Sequence, residues 1–325
     1  MKKKSLAALS LFLPLTILCA CGSTPTQAFS ANWYRDTSIR DIMSGKTEKL
    51  AYEVTFEPKD TKPLSVSYEK GTYTTELTAM AMQLPDSEKT ETVYRYATRL
   101  DIKGKYSLNG QDGDVFTDSV ESTVYFRSLS GGLQPVSSTK HVVSTSPTGR
   151  TEKLEDAYVT YDYTYTVNYN EALSKAEVKL DQIKPAEAKR ERKVSLSGAV
   201  NYFDNEQLEF ILRGLDMTSA VSLKTMNPLD SSISPVAIKE TPKESLETMT
   251  FRVGDTTVNE SIPAYTFAFG YSSANSGQNL TLVYAKRSAD KSNNRFRNVM
   301  LKRTVPVLQG LGNLIYTLTE ADFID

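Results

Sequence analysis

From residue 50 onward apolar and polar positions alternate with a period of two, the mark of strands that bury one face. Leu50, Tyr52, Val54 and Phe56 fall on one side, with Ala51, Glu53, Thr55 and Glu57 between them. Leu64, Val66 and Tyr68 repeat the pattern, and Lys70-Gly71 reads as a turn into a strand over 73–82. Tyr94, Tyr96, Leu100 and Ile102 mark the next strand, with Lys103-Gly104 and Asn109-Gly110 as turn signals. Phe116, Val120, Val124 and Phe126 then alternate with Thr117, Ser119, Glu121 and Thr123, and Gly131-Gly132 leads into a strand over 136–143. The clearest strand is 158–169, with Val159, Tyr161, Tyr163, Tyr165, Val167 and Tyr169 on one face. That length extends about 40 Å, so its sheet has to curve or twist. A hairpin brings back 176–181, and the mixed-charge run 184–193 reads as a solvated connection or short helix. Further strands are expected at 218–225, 234–239, 248–253, 263–271, 279–286, 298–307 and 313–319, with Thr256-Thr257 and 272–278 as turns and 286–295 as a polar excursion.

One helix interrupts this pattern. Asp204 is a good N-cap and Gln207 sits three residues on, the capping-box spacing. Phe203 and Leu208 have the spacing of a hydrophobic staple, and Gly214 suits the C-terminal end. Leu208, Ile211, Leu212 and Leu215 form an apolar stripe expected to lie on the concave face of the sheet. As an ordinary exposed cap, Asp204 would contribute about 1 kcal/mol. The expected fold is therefore mainly β: a curved antiparallel sheet or half-barrel with one short helix packed on its concave face. Residues 48–325 read as one β-rich domain, the alternative being two β subdomains that meet near 185–200.

The N-terminus is different in kind. Lys2, Lys3 and Lys4 precede an apolar stretch from Leu6 to Ala20 that is shorter than the roughly 20 residues a spanning helix needs. It has the dimensions of a signal-peptide core. It ends in Leu18-Cys19-Ala20-Cys21, followed by Gly22-Ser23. This resembles the lipobox of bacterial lipoproteins, with Leu18 at −3, Ala20 at −1 and Cys21 at +1; Cys19 at −2 departs from the commonest pattern. The resemblance implies a signal peptide over 1–20, acylation of Cys21, a tether over 21–47 and a position on the extracytoplasmic face of a cell membrane. Each buried CH₂ contributes about 0.8 kcal/mol, so two or more chains anchor stably. Trp33, the only Trp, lies in the tether.

Composition narrows the chemistry. The net charge of −1 over 325 residues removes the electrostatic basis for binding nucleic acid. Losing 1–20 would take away three Lys and no acid, leaving −4. The chain has one His and two Cys, and both Cys precede residue 22, so Cys nucleophiles, disulfides and His- or Cys-rich metal sites are not expected. His141 lies on a strand with no Gly-x-Ser-x-Gly elbow to serve, and reads as a surface residue. Ser137 and Lys140 have a dyad spacing but on a strand would face opposite sides. Asn109 to Asp114, with Asp118 and Glu121, fails the EF-hand pattern, because Gly113 stands at position 5 and Asp114 at position 6. Tyr94-Arg95-Tyr96 and Arg99 read as faces of one strand, with stacking on a ligand as the alternative. No catalytic residue, metal or cofactor is expected.

Residues 132–140, the helix region Tyr202 to Leu215 and the closing stretch from Leu280 to Val307 together resemble the layout of LolA–LolB-like half-barrel cell-envelope proteins. That resemblance implies a hydrophobic concavity that accepts acyl chains. Two functions follow as expectations. In the first, a membrane-anchored protein binds an apolar or amphipathic ligand, such as a lipid, against Tyr161, Tyr163 and Tyr165. In the second it is a structural or assembly partner of another envelope protein. The anchor has a direct check: Cys21→Ser should abolish incorporation of a palmitate analogue, and retained label would refute the assignment.

Overall fold

The computed structural model describes residues 47–59, 63–84, 87–129, 132–196, 202–215, 221–238, 240–271, 279–286 and 298–322. Cys21, the tether with Trp33, the 272–278 turn and most of the 286–295 excursion lie outside the described residues. Among the described residues seventeen strands follow in chain order. They are β1 (Thr47–Pro58), β2 (Leu64–Tyr68), β3 (Gly71–Gln83), β4 (Thr90–Leu108), β5 (Gln111–Leu129), β6 (Gly132–Pro147), β7 (Tyr158–Tyr169), β8 (Lys175–Lys184) and β9 (Arg190–Ser195). After these come β10 (Tyr202–Asp204), β11 (Val221–Asn227), β12 (Ser232–Ile238), β13 (Lys243–Val253), β14 (Thr256–Tyr271), β15 (Leu280–Ala285), β16 (Met300–Val307) and β17 (Gly312–Asp322). A short helix α1 (Leu154–Ala157) precedes β7.

The strands pair in one continuous sheet. Its order is β9-β8-β7-β6-β5-β4-β3-β1-β17-β16-β15-β14-β12-β11-β10, antiparallel except at β10–β11. β2 extends the line of β3 along β4, and β13 pairs with the first part of β14 while its end meets β17 in parallel. β10 comes back to lie against β6. The sheet thus curls into a barrel. β4 and β5, 19 residues each, would extend about 60 Å if straight; their inner faces instead carry the concave wall.

The buried positions follow the alternation. Leu50, Tyr52 and Val54 of β1, Tyr94, Tyr96, Leu100 and Ile102 of β4, and Val120, Val124 and Phe126 of β5 all point inward. Asn109 and Gly110 both take positive φ at the β4–β5 hairpin, as an Asn-Gly turn requires. Lys103-Gly104 is not a turn; it lies inside β4. Gly104 is small because the rings of Tyr68 and Phe116 cross over it, within 2.9 Å of where a Cβ would stand. The turn expected at Thr256-Thr257 falls at Gly254-Asp255, and the run 190–195 is an edge strand. Its Lys193–Glu177 and Lys179–Glu191 pairs with β8 put charge on that edge, which blocks addition of a further strand.

Helical residues 205–214 form a run of one 3₁₀ turn (Asn205–Gln207), one α turn (Leu208–Ile211, α2) and a second 3₁₀ turn (Leu212–Gly214). The capping box is present: Asp204 accepts from the Glu206 N–H at 2.8 Å, and the Asp204 N–H donates to Gln207 Oε1 at 3.4 Å. At the far end Asn298 Nδ2 donates to the Arg213 carbonyl at 3.0 Å. The helix differs from the expected amphipathic one in a basic respect. Every residue of it but the partly buried Glu209 is buried, and Phe210, outside the apolar stripe, is covered too, stacked on Phe126 and packed against Tyr96. It threads the inside of the barrel.

Asp204 is therefore no surface cap. It also accepts from Ser138 Oγ and Tyr169 Oη, both at 2.7 Å. Asp204→Ala would leave those buried donors unpaired, and should cost about 2–3 kcal/mol, well above an exposed cap. Urea denaturation of the two proteins measures this; a loss under about 1 kcal/mol would mean the hydroxyls find other partners.

Candidate functional site

Two regions could carry function: the lumen that the helix occupies and the outer wall of the barrel.

In the lumen, every charged side chain of the helix meets the wall. Glu206 takes Lys140 Nζ of β6 at 3.1 Å, the Tyr165 hydroxyl of β7, and Asn205 Nδ2 at 2.7 Å. Glu209 accepts from Tyr73 of β3 at 2.8 Å, Tyr96 of β4 at 2.9 Å and Arg303 of β16 at 3.2 Å. Arg213 makes a two-pronged pair with Glu48 of β1, at 2.6 and 3.2 Å. Tyr271 donates to Asn205 Oδ1 and Tyr284 to the Glu209 carbonyl. Burial and nearby carboxylates push the Tyr73, Tyr96, Tyr165 and Tyr169 hydroxyls well above their ordinary range, so they act as neutral donors. For Glu206, burial pulls upward, but Lys140 and the donating hydroxyl and amide groups hold the carboxyl below its usual value.

This corrects the reading of Tyr161, Tyr163 and Tyr165 as the wall of an open concavity. Tyr163 and Tyr165 do face inward, but the helix fills the space in front of them, and only Tyr161 is half-buried. The Tyr165 hydroxyl is bound to Glu206, and that of Tyr163 has no hydrogen-bond partner among the described residues. Among the described residues the inner wall carries two cavities of about 40 Å³ each. One lies between Lys140, Glu206, Glu209 and Arg303. The other is apolar and lies between Tyr68, Tyr106, Val305 and Leu314, with Asp118 at its wall. Each has room for ordered water, whereas small-molecule pockets run to about 300–1,000 Å³.

The other candidates separate. His141 faces outward on β6, its Nε2 3.1 Å from Asp162 Oδ1. Lys140 points inward, away from Ser137. Of the acidic cluster, Asp112 pairs with Lys105 and Ser107 outside, Glu121 pairs with Arg99 outside, and Asp118 lies inside. Among the described residues no three such side chains converge as for a metal.

The outer wall holds a depression of about 520 Å³ across β17, β1, β3, β4 and β5. Cross-strand register builds it. One row runs Asp322, Lys49, Glu76, Ala97, Thr123 and the next Glu320, Ala51, Thr74, Arg99, Glu121. Ala51, Thr74, Ala97 and Thr123 form a low floor. On one side Glu76 sits between Arg95 at 2.8 Å and Lys49 at 3.7 Å; on the other Arg99 is held by Asp101 at 2.5 Å and by Glu121. Arg95 and Arg99 thus stand outside while Tyr94 and Tyr96 point in. Sequence reading missed the groove because its residues come from five strands and meet only through register.

No protein-family model matches the chain, and no curated protein matches its sequence. Among solved structures it is similar to the crystal structure of a β-barrel-like protein of domain of unknown function DUF1849 from Brucella abortus. The TM-score is 0.45 and the identity 8%, over 86% of this chain and 98% of that one.

Asp118 sets a pH dependence. Burial lifts its carboxyl to about 7, against the Thr145 N–H and hydroxyl that favour its charged form. A folded-state value above the unfolded one means stability is fullest in acid and falls as pH rises from about 4 towards 7. Asp118→Asn cannot ionise, so its stability relative to wild type should rise over that window by up to about 4 kcal/mol. Urea midpoints at either end of the window test this; a constant difference between the proteins would count against it.

Proposed function

We propose that this chain is a lipid-anchored, extracytoplasmic β-barrel protein that binds its partner or ligand through its outer wall. One observation carries the reading: among the described residues the lumen is occupied by the protein's own helix, and a cavity beside it and another against the inner wall measure about 40 Å³ each. Neither cavity has room for an acyl chain, and moving the helix aside would strand the partners of Asp204, Glu206, Glu209 and Arg213. The outer depression, at about 520 Å³, falls in the size range of ligand sites.

The distribution of polarity supports attachment by an anchor over insertion of the barrel. A membrane-spanning barrel presents an apolar band to lipid. Here the outer faces of β1, β3, β4 and β5 carry Lys49, Glu76, Arg95, Arg99 and Glu121, and of their large apolar residues only Met80 and Val115 are exposed. Among the described residues no helix is long and apolar enough to cross a membrane. The lipobox-like Leu18-Cys19-Ala20-Cys21 supplies the attachment in this reading.

Native mass spectrometry of the protein released from membranes separates the two modes of binding. The expected spectrum shows the chain with its covalent lipid at Cys21 and no further lipid held non-covalently. A stoichiometric, ejectable lipid that is lost on widening Tyr165 to Trp would return the function to the lumen.

A further inference from the structure

We infer that the outer groove over β17, β1, β3, β4 and β5 is a binding site for a short, neutral saccharide chain. The inference rests on the outer-wall reading and names its ligand class. The floor, Ala51, Thr74, Ala97 and Thr123, offers methyl groups and hydroxyls at the same level. A sugar ring has the matching character: C–H groups on its faces and hydroxyls round its rim. Each hydroxyl is both donor and acceptor, and the groove supplies both kinds of partner side by side. Arg95, Arg99 and Lys49 donate; Glu76, Glu121, Glu320 and Asp322 accept.

Charge argues against other ligands. Every cation in the groove stands beside an acid: Lys49 and Arg95 on Glu76, Arg99 on Asp101 and Glu121. A polyanion or polycation would have to break those pairs, whereas a neutral hydroxylated chain bonds to their free lone pairs and N–H groups. Dimensions also agree. Five strands at about 4.8 Å spacing give a trough of about 19 Å, room for several rings in a row. An extended peptide would lie on a sheet face whose backbone groups are already paired with neighbouring strands, so its own N–H and C=O groups would gain little there.

The test uses the full chain in detergent, titrated by calorimetry with two neutral tetrasaccharides, one of β-linked N-acetylglucosamine and one of α-linked glucose, and with a Ser-Gly octapeptide. At least one tetrasaccharide should bind, with its disaccharide at least about tenfold weaker. Thr74→Trp, an exposed floor position that would fill the trough, should weaken binding by about tenfold or more with an unchanged melting temperature. Arg99→Ala should weaken it by about fivefold, because its surface ion pairs contribute little to folding. Glu191→Ala, on the far edge strand, should change nothing. The proposal is overturned if neither tetrasaccharide binds at millimolar concentration, if both groove variants bind as wild type does, or if the peptide alone binds. None of those outcomes touches the lipid-anchor and filled-lumen reading, which stands or falls on the mass spectrum.

Discussion

A helix bearing three carboxylates and a guanidinium can lie inside a barrel only if each charge is met there. An ion moved from water to a protein interior loses several kcal/mol unless it is paired and hydrogen-bonded. That constraint explains the most unusual trait of the inner wall. Asp204, Glu206, Glu209 and Arg213 are each met by side chains of different strands: Ser138 and Lys140 from β6, Tyr165 and Tyr169 from β7, Tyr73 from β3, Tyr96 from β4, Arg303 from β16 and Glu48 from β1. Strands from both sides of the helix in the chain therefore share one centre. Each pair adds little net stability over an apolar equivalent, but removing one member strands the other. What the network secures best is the position of the helix and the register of the strands around it.

Tyrosine suits this task. Its ring fills volume against neighbours, as Tyr73 does against Tyr52 and Tyr316, while its hydroxyl reaches past the apolar layer to a carboxylate. Burial beside acids keeps the hydroxyl protonated, so it donates without bringing a second charge. Where a full cation is needed, Arg303 lies over the Tyr73 and Tyr316 rings and Arg213 over Phe210. Most polar groups of the lumen are thus directed at the protein's own helix and wall.

Much of this could be read from the chain. The strands at 158–169 and 298–307 follow from alternation, the Asn109-Gly110 hairpin from its dipeptide, and the helix start from Asp204 and Gln207. What escaped was the polarity of the interior, for a physical reason. Alternation tells which positions face in, but charged residues are taken to belong outside. Lys140 shares its side with Val142, Glu48 with Leu50 and Tyr52, Arg303 with Val305 and Val307. A charge at a core position was the available signal for a buried partner. On the helix the signal was Phe210, an aromatic outside the apolar stripe. Lys103-Gly104 misled in the opposite sense, because glycine served ring packing and not a turn.

The outer groove illustrates a different limit. Its residues are unremarkable in sequence: Ala51, Thr74, Ala97 and Thr123 are small outward positions on four strands. Only the pairing of β1 with β3, β3 with β4 and β4 with β5 brings them together, Ala51 beside Thr74 in one row and Ala97 beside Thr123 in the next, and only the long charged neighbours make a trough of them. Those neighbours are held upright because each cation has an acid to lean on. The ion pairs are too exposed to contribute much to folding, yet they restrict long side chains that would otherwise sweep across the floor. Inside the barrel, pairing makes charge tolerable. Outside, it sets cation beside acid along the edges of the trough.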